Sequence, residues 1–136
     1  MANLTITATS VVKGANAVID KDGTCGETLT AGLPVHKSSS DGLYYKSDVN
    51  DTSHYYCDGV CLIGGAANQP CWVQLGGQVT IGATVAIGTY YCVSRTVGLI
   101  CPIADMVSGD YPIGLGFAVT AAIIELRINR SGVAVP

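Results

Sequence analysis

Charge is scarce in this chain. Asp, Glu, Lys and Arg make up only 12% of its 136 residues, against roughly a quarter in an ordinary soluble domain. The basic residues are scattered: Lys13, Lys21, Lys37 and Lys46 stand alone, and Arg127 and Arg130 lack aromatic interleaving. Nucleic-acid binding wants a clustered basic face, so this scatter and a net charge of −3 argue against it. Long apolar runs are missing as well. The best candidate, Leu115–Ile124, contains Gly116 and Thr120 and stops at Glu125, well short of the roughly 20 residues of a helical membrane span. The opening M-A-N-L-T-I-T-A-T-S has neither a basic n-region nor a long apolar h-region. The expectation is synthesis in a cytoplasm, without a signal peptide and without a membrane partner.

Helical periodicity and nucleotide-binding loops are also lacking. The glycines never form G-x-G-x-x-G between a strand and a helix, nor a G-x-x-x-x-G-K loop. No D-x-D-x-D-G calcium loop and no G-x-S-x-G elbow is present.

What is present is β-pattern. From Val73 to Ser94, apolar residues fall at odd positions (Val73, Leu75, Val79, Ile81, Val85, Ile87), punctuated by Gly76-Gly77, Gly82 and Gly88. Apolar residues two apart, bounded by glycine, read as short strands with one buried face and tight turns. Gly-Leu-Pro-Val and Gly-Leu-Tyr-Tyr in residues 32–45 parallel Gly-Ala-Thr-Val and Gly-Thr-Tyr-Tyr in residues 82–91, a hint of pseudo-symmetric hairpins. Elsewhere Asn3–Thr9 alternates as a half-solvated strand, Asp20–Gly23 reads as a turn, and Pro34 belongs at a strand start. Ile123–Ile128 closes the pattern, with Ile124, Leu126 and Ile128 inward and Glu125 and Arg127 outward. About ten short strands at roughly 8–12-residue spacing predict an all-β fold, a small antiparallel β-barrel or sandwich with extended termini. Residues 1–19 read as an N-terminal strand or arm, 20–130 as the barrel domain and 131–136 as a short tail.

The candidate chemistry is thin. His54, Cys57, Cys61 and Cys71 are spaced H-x2-C-x3-C-x9-C, without the knuckles of a zinc site. Buried reduced thiols are the better reading of the six cysteines, and no metal or cofactor is expected. His36 reads as a strand-surface residue. Ser53-His54 are chain neighbours, which triad partners rarely are. Asp41, Asp48, Asp51, Asp58 and Asp110 sit beside Gly, Ser or Thr, where turn and cap duty suffices. Tyr44-Tyr45, Tyr55-Tyr56 and Tyr90-Tyr91 each place one ring inward and one outward on a strand. Outward rings suit an interface or a carbohydrate-binding face. No catalytic residues are assigned; the interface candidates are Leu4, Ile6, Tyr44, Tyr55, Trp72, Tyr90 and Tyr111.

The order A-G-L-P-V, D-G-L-Y-Y, G-V-C-L-I-G-G-A-A, V-x-L-G-G-x-V-T-I-G, G-T-Y-Y-C-V-S, G-L-I-C-P-I-A-D and S-G-D-Y, over roughly residues 28 to 134, resembles the capsid decoration (cement) proteins of tailed bacteriophages. The resemblance implies a non-enzymatic β-barrel on the outer surface of a phage head. Its partners would be the major capsid protein and further copies of itself, a trimer in preference to a dimer. Residues 1–19 and 131–136 would be arms, and deleting residues 2–12 would weaken shell binding. Six cysteines are more than that group leads one to expect. The alternative function is a carbohydrate- or receptor-binding β module of a phage fibre or head decoration. A third, a small hydrolase, would need His54 or carboxylates gathered in a pocket.

Overall fold

The computed structural model describes residues 3–47, 57–110 and 112–130. Its strands are β1 (Val11–Lys13), β2 (Val18–Thr24), β3 (Pro34–Lys37), β4 (Tyr44–Lys46) and β5 (Gly59–Ile63), then β6 (Pro70–Ile81), β7 (Tyr90–Val93), β8 (Ile100–Pro102), β9 (Ile113–Ala118) and β10 (Ile123–Arg130). Among the described residues the only helical pieces are 3-10 turns at Ala8–Ser10 and Ile103–Asp105. The fold is all-β, as the alternation predicts. The strands pair antiparallel in the order β4-β3-β5-β6-β10-β9-β7-β8, with β1 and β2 also on β6, and the sheet curls into a half-barrel.

Strand β6 is the common member. Its first half pairs with β2 (Asp20↔Val73) and with β5 (Cys61↔Val73), and its second half with β1 (Val12↔Thr80) and with β10 (Ile123↔Thr80). A strand has two edges, so both edges of both halves are occupied. Gly76-Gly77 is therefore not a hairpin turn, as the glycine pair suggested, but a bulge inside one continuous strand. Val18 pairs with Gly76 and Ile19 with Gln74, which leaves Leu75 as the extra residue. Gly77 takes φ +83°, and a Cβ there would overlap the Asn16 carbonyl. The Gln74 amide nitrogen ties the bulge together, donating to the Gly76 carbonyl at 3.0 Å and to the Gln78 carbonyl at 2.8 Å.

One extra residue reverses the faces of a strand. Val73 packs in one core cluster with Cys25, Leu29, Val35, Tyr44, Cys61 and Cys71. Val79 and Ile81 pack in the other, with Val93, Ile100, Ile113, Leu115, Ile124 and Leu126. The odd positions of residues 73–87 thus do not share a face: Leu75 and Ile87 are exposed. Strand β5 separates the two clusters, with Val60 and Leu62 on one side and Cys61 on the other. Burial on both faces explains the unbroken G-V-C-L of residues 59–62; Ile63 at its end is exposed.

Other expectations are corrected by pairing. Asn3–Thr9 forms no strand. The Leu4 amide bonds Ile100 and the Thr7 amide bonds Gly82, two partners too far apart in the sheet to make a ladder. Asp20–Gly23 lies inside β2, as a bulge in which the Asp22 amide donates to the Asp20 carboxylate at 2.9 Å. The two glycine–tyrosine segments are not equivalent. Residues 34–46 form the β3–β4 hairpin. Residues 82–89 form no strand; the Val85 amide bonds Ala121, which wraps them around the β9–β10 turn.

Candidate interaction surface

The sequence-selected interface residues separate on folding. Tyr44 is 2% exposed; its ring fills the second cluster and its hydroxyl donates to the Asp20 carboxylate at 2.8 Å. The tyrosine facing outward from that pair is Tyr45. Leu4 and Ile6 are partly buried against the chain's own first cluster. Tyr90 is half-buried, edge-on to Phe117 at 4.7 Å between ring centres. Tyr55 and Tyr111 lie outside the described residues.

Trp72 stays half-buried at a gap in the curl. Strand β1 pairs only with β6, and β5 only with β3 and β6. The curl of β6 nevertheless brings β1 against β5 without a backbone ladder. Val11, Val12, Lys13, Leu62, Ile63 and Trp72 line a mostly apolar hollow of about 180 Å³ there. Val12 and Ile63 are 55% and 51% exposed. The Lys21 ammonium sits over the Trp72 ring, 4.9 Å from its centre. Lys13 and Lys21 also border a second, open hollow of about 470 Å³ along the β1–β2 edge. Sequence order gives no sign that Lys21 meets the tryptophan and that Lys13 lines its hollow; along the chain both are isolated charges.

A third hollow, about 460 Å³, is lined by Asp20, Lys37, Ser38, Ser39, Tyr44, Asp58 and Leu75. Its carboxylates already serve the fold. Asp20 accepts from Tyr44, and Asp58 accepts from the Lys37 amide at 2.7 Å. The Tyr44 hydroxyl bond, with the Asp22 amide, holds the Asp20 carboxyl below the usual carboxylate range. Asp41 and Asp110 likewise close turns, accepting from the Leu43 and Val107 amides.

His36 is not on the surface. It is 7% exposed, its ring near Tyr45 across the β3–β4 pair and its Nδ1 3.4 Å from the Ser47 hydroxyl. The residues of the weak zinc spacing disperse: Cys61 and Cys71 share the second cluster, while Cys57 packs against the first. His54 lies outside the described residues. Among the described residues no three His, Cys, Asp or Glu side chains gather as a metal site. The six thiols are free, and five are buried.

No family model, curated protein or solved structure matches the chain.

Proposed function

We propose that the protein is a structural clamp: a small β-domain on the outside of a tailed-phage head that joins neighbouring major capsid proteins and its own copies, a trimer in preference to a dimer. The observation that carries the reading is the surface. Large apolar side chains stand in water on four strands and one loop: Val12 at 55%, Val18 at 57%, Ile63 at 51% and Phe117 at 52% exposed on β1, β2, β5 and β9, and Ile87 at 71% in the loop after β6. Scattered exposed apolar residues are ordinary. So many on a chain with so few charges favour extensive contact with other proteins, whose interface cores are depleted in charge. Asp20, Glu27, Asp41, Asp58, Asp110, Glu125 and His36 are engaged in turns, pairs and packing, which favours a binding role over turnover. The motif resemblance supplies the shell as the partner. Binding only the assembled shell would stabilise it by mass action.

The test uses decoration-free heads from the phage whose genome carries this chain. Added protein is expected to saturate at a fixed number of copies per head and to raise the temperature at which the heads open. No binding to heads, or no saturation, overturns the proposal. Binding of the isolated protein to a glycan array in that case favours the fibre-module alternative.

A further inference from the structure

We infer that the gap between β1 and β5 is a docking groove for an extended, acidic, apolar segment of a partner protein, with Trp72 as its floor and Lys13 and Lys21 as its charge clamps. This deepens the clamp reading and rests on it only in naming the shell protein as the source of the segment.

Three observations converge. The first is shape: Val12, Ile63 and Trp72 line a hollow of about 180 Å³, the size of one large side chain, and Lys13 joins it to the open hollow along β1–β2. The second is charge. The chain carries −3 overall, yet the Lys21 ammonium lies over this one tryptophan and Lys13 lines its hollow. Among the described residues neither forms an ion pair. Lys21 instead rests on the Trp72 ring, a cation–π contact that leaves the rest of the ammonium open to a carboxylate. A carboxylate from a partner can bind that ammonium without breaking another ion pair. The third is backbone: among the described strands β1 and β2 each pair only with β6, which leaves their other edge without a neighbouring strand, a place that suits an added one. A segment alternating acidic and large apolar residues meets all three. Its backbone would run along the edge, an apolar side chain would enter the hollow, and its carboxylates would reach Lys13 and Lys21. A polyanion without apolar side chains uses the lysines but not the hollow; an apolar cationic segment is repelled.

Trp72 is the only tryptophan, so its emission reports occupancy directly. The full-length protein is titrated with the peptides (Glu-Leu)4, (Glu-Ser)4 and (Lys-Leu)4 in low salt. A saturable blue shift with (Glu-Leu)4, at least tenfold weaker with the other two and weakened tenfold or more by 0.5 M salt, is expected. Lys13→Glu with Lys21→Glu, both exposed positions, should abolish the shift while leaving the thermal transition in place. Ile63→Asp should do the same through the hollow. No shift with (Glu-Leu)4, an equal response to all three peptides, or full binding by the double lysine variant overturns the groove. Head binding by that variant separates the two proposals. Unchanged head occupancy with a working wild type removes the groove and leaves the clamp. Failure of the wild type on heads removes the clamp, and the peptide titration still judges the groove.

Discussion

Tyr44 shows how one buried polar contact ties local chemistry to stability. Its hydroxyl reaches Asp20 on β2, linking that strand to the β3–β4 hairpin. A hydrogen bond to a charged group contributes roughly 1.5–3 kcal/mol; Asp20 keeps some solvent, so Tyr44→Phe should cost about 1–2 kcal/mol at pH 7. The Asp20 carboxyl is held below its usual value, chiefly by the Tyr44 hydroxyl. Its contribution is therefore present above the unfolded pKa of 3.8 and lost as the pH falls through the lowered folded value. Urea unfolding at pH 7 and at pH 2.5 should show the difference between wild type and variant shrinking in acid. A constant difference would mean the hydroxyl acts through packing alone.

The thiols make the opposite prediction in alkali. Burial pushes Cys61, Cys71 and Cys92 up to about 12 and Cys101 up to about 11, from 9.0. The native state keeps these protons longer than the unfolded chain does. Stability is thus intact below pH 9 and declines from there toward pH 11–12, by up to about 1.4 kcal/mol per pH unit for each thiol. Melting temperatures from pH 8 to 10.5 should fall along that course, less steeply in Cys92→Ala. A thiol-exchange reagent at pH 8 should find at most one fast-reacting sulfhydryl in the native protein and six in denaturant; several fast ones would mean the cores are open.

At the scale of the element, the bulge in β6 is the point where the fold is most exposed to a single methyl group. Gly77 and Gly88 have nearly the same backbone, φ +83° and +82°. Gly77 lies against the Asn16 carbonyl, while nothing approaches within 4 Å of the place a Cβ would take on Gly88. Gly88→Ala should therefore cost only the left-handed conformation, about 1–2 kcal/mol. Gly77→Ala adds the overlap and should cost at least twice as much, reported by denaturant midpoint. Equal effects would place the bulge elsewhere. The same view changes how the amino terminus is tested. Val11 is buried, β1 pairs with β6, and Leu4 and Ile6 pack on the core. Deletion of residues 2–12 would remove part of the core itself, so its effect on shell binding could not be assigned to an arm.

For the whole molecule the expectation concerns association. Exposed apolar side chains on β1, β2, β5 and β9 would be covered by other copies or by the shell under the clamp reading. Light scattering across a hundredfold range of concentration should return a constant mass of two or three chains. A monomer throughout would confine assembly to the shell surface and remove self-association from the free protein.

The sequence by itself determined the class and the punctuation. Alternation in Ile123–Ile128, the proline opening β3, the polar loop of residues 38–42 and the strand at Tyr90–Val93 are local signals, each carried by a few consecutive residues. Most of the cysteines also read correctly as apolar filling. Which face each residue presents was decided only by tertiary structure. Tyr44 turned inward because β2 supplied Asp20 from 24 residues away. Gly76-Gly77 became a bulge because β2 and β5 took both edges of the strand before it and β1 and β10 both edges after it. Lys21 reached Trp72 through the register of β2 on β6, and Lys13 came to line its hollow from β1. Strand patterns are written along the chain; register and curvature are set by partners distant in sequence, where a shift of one residue exchanges inside for outside.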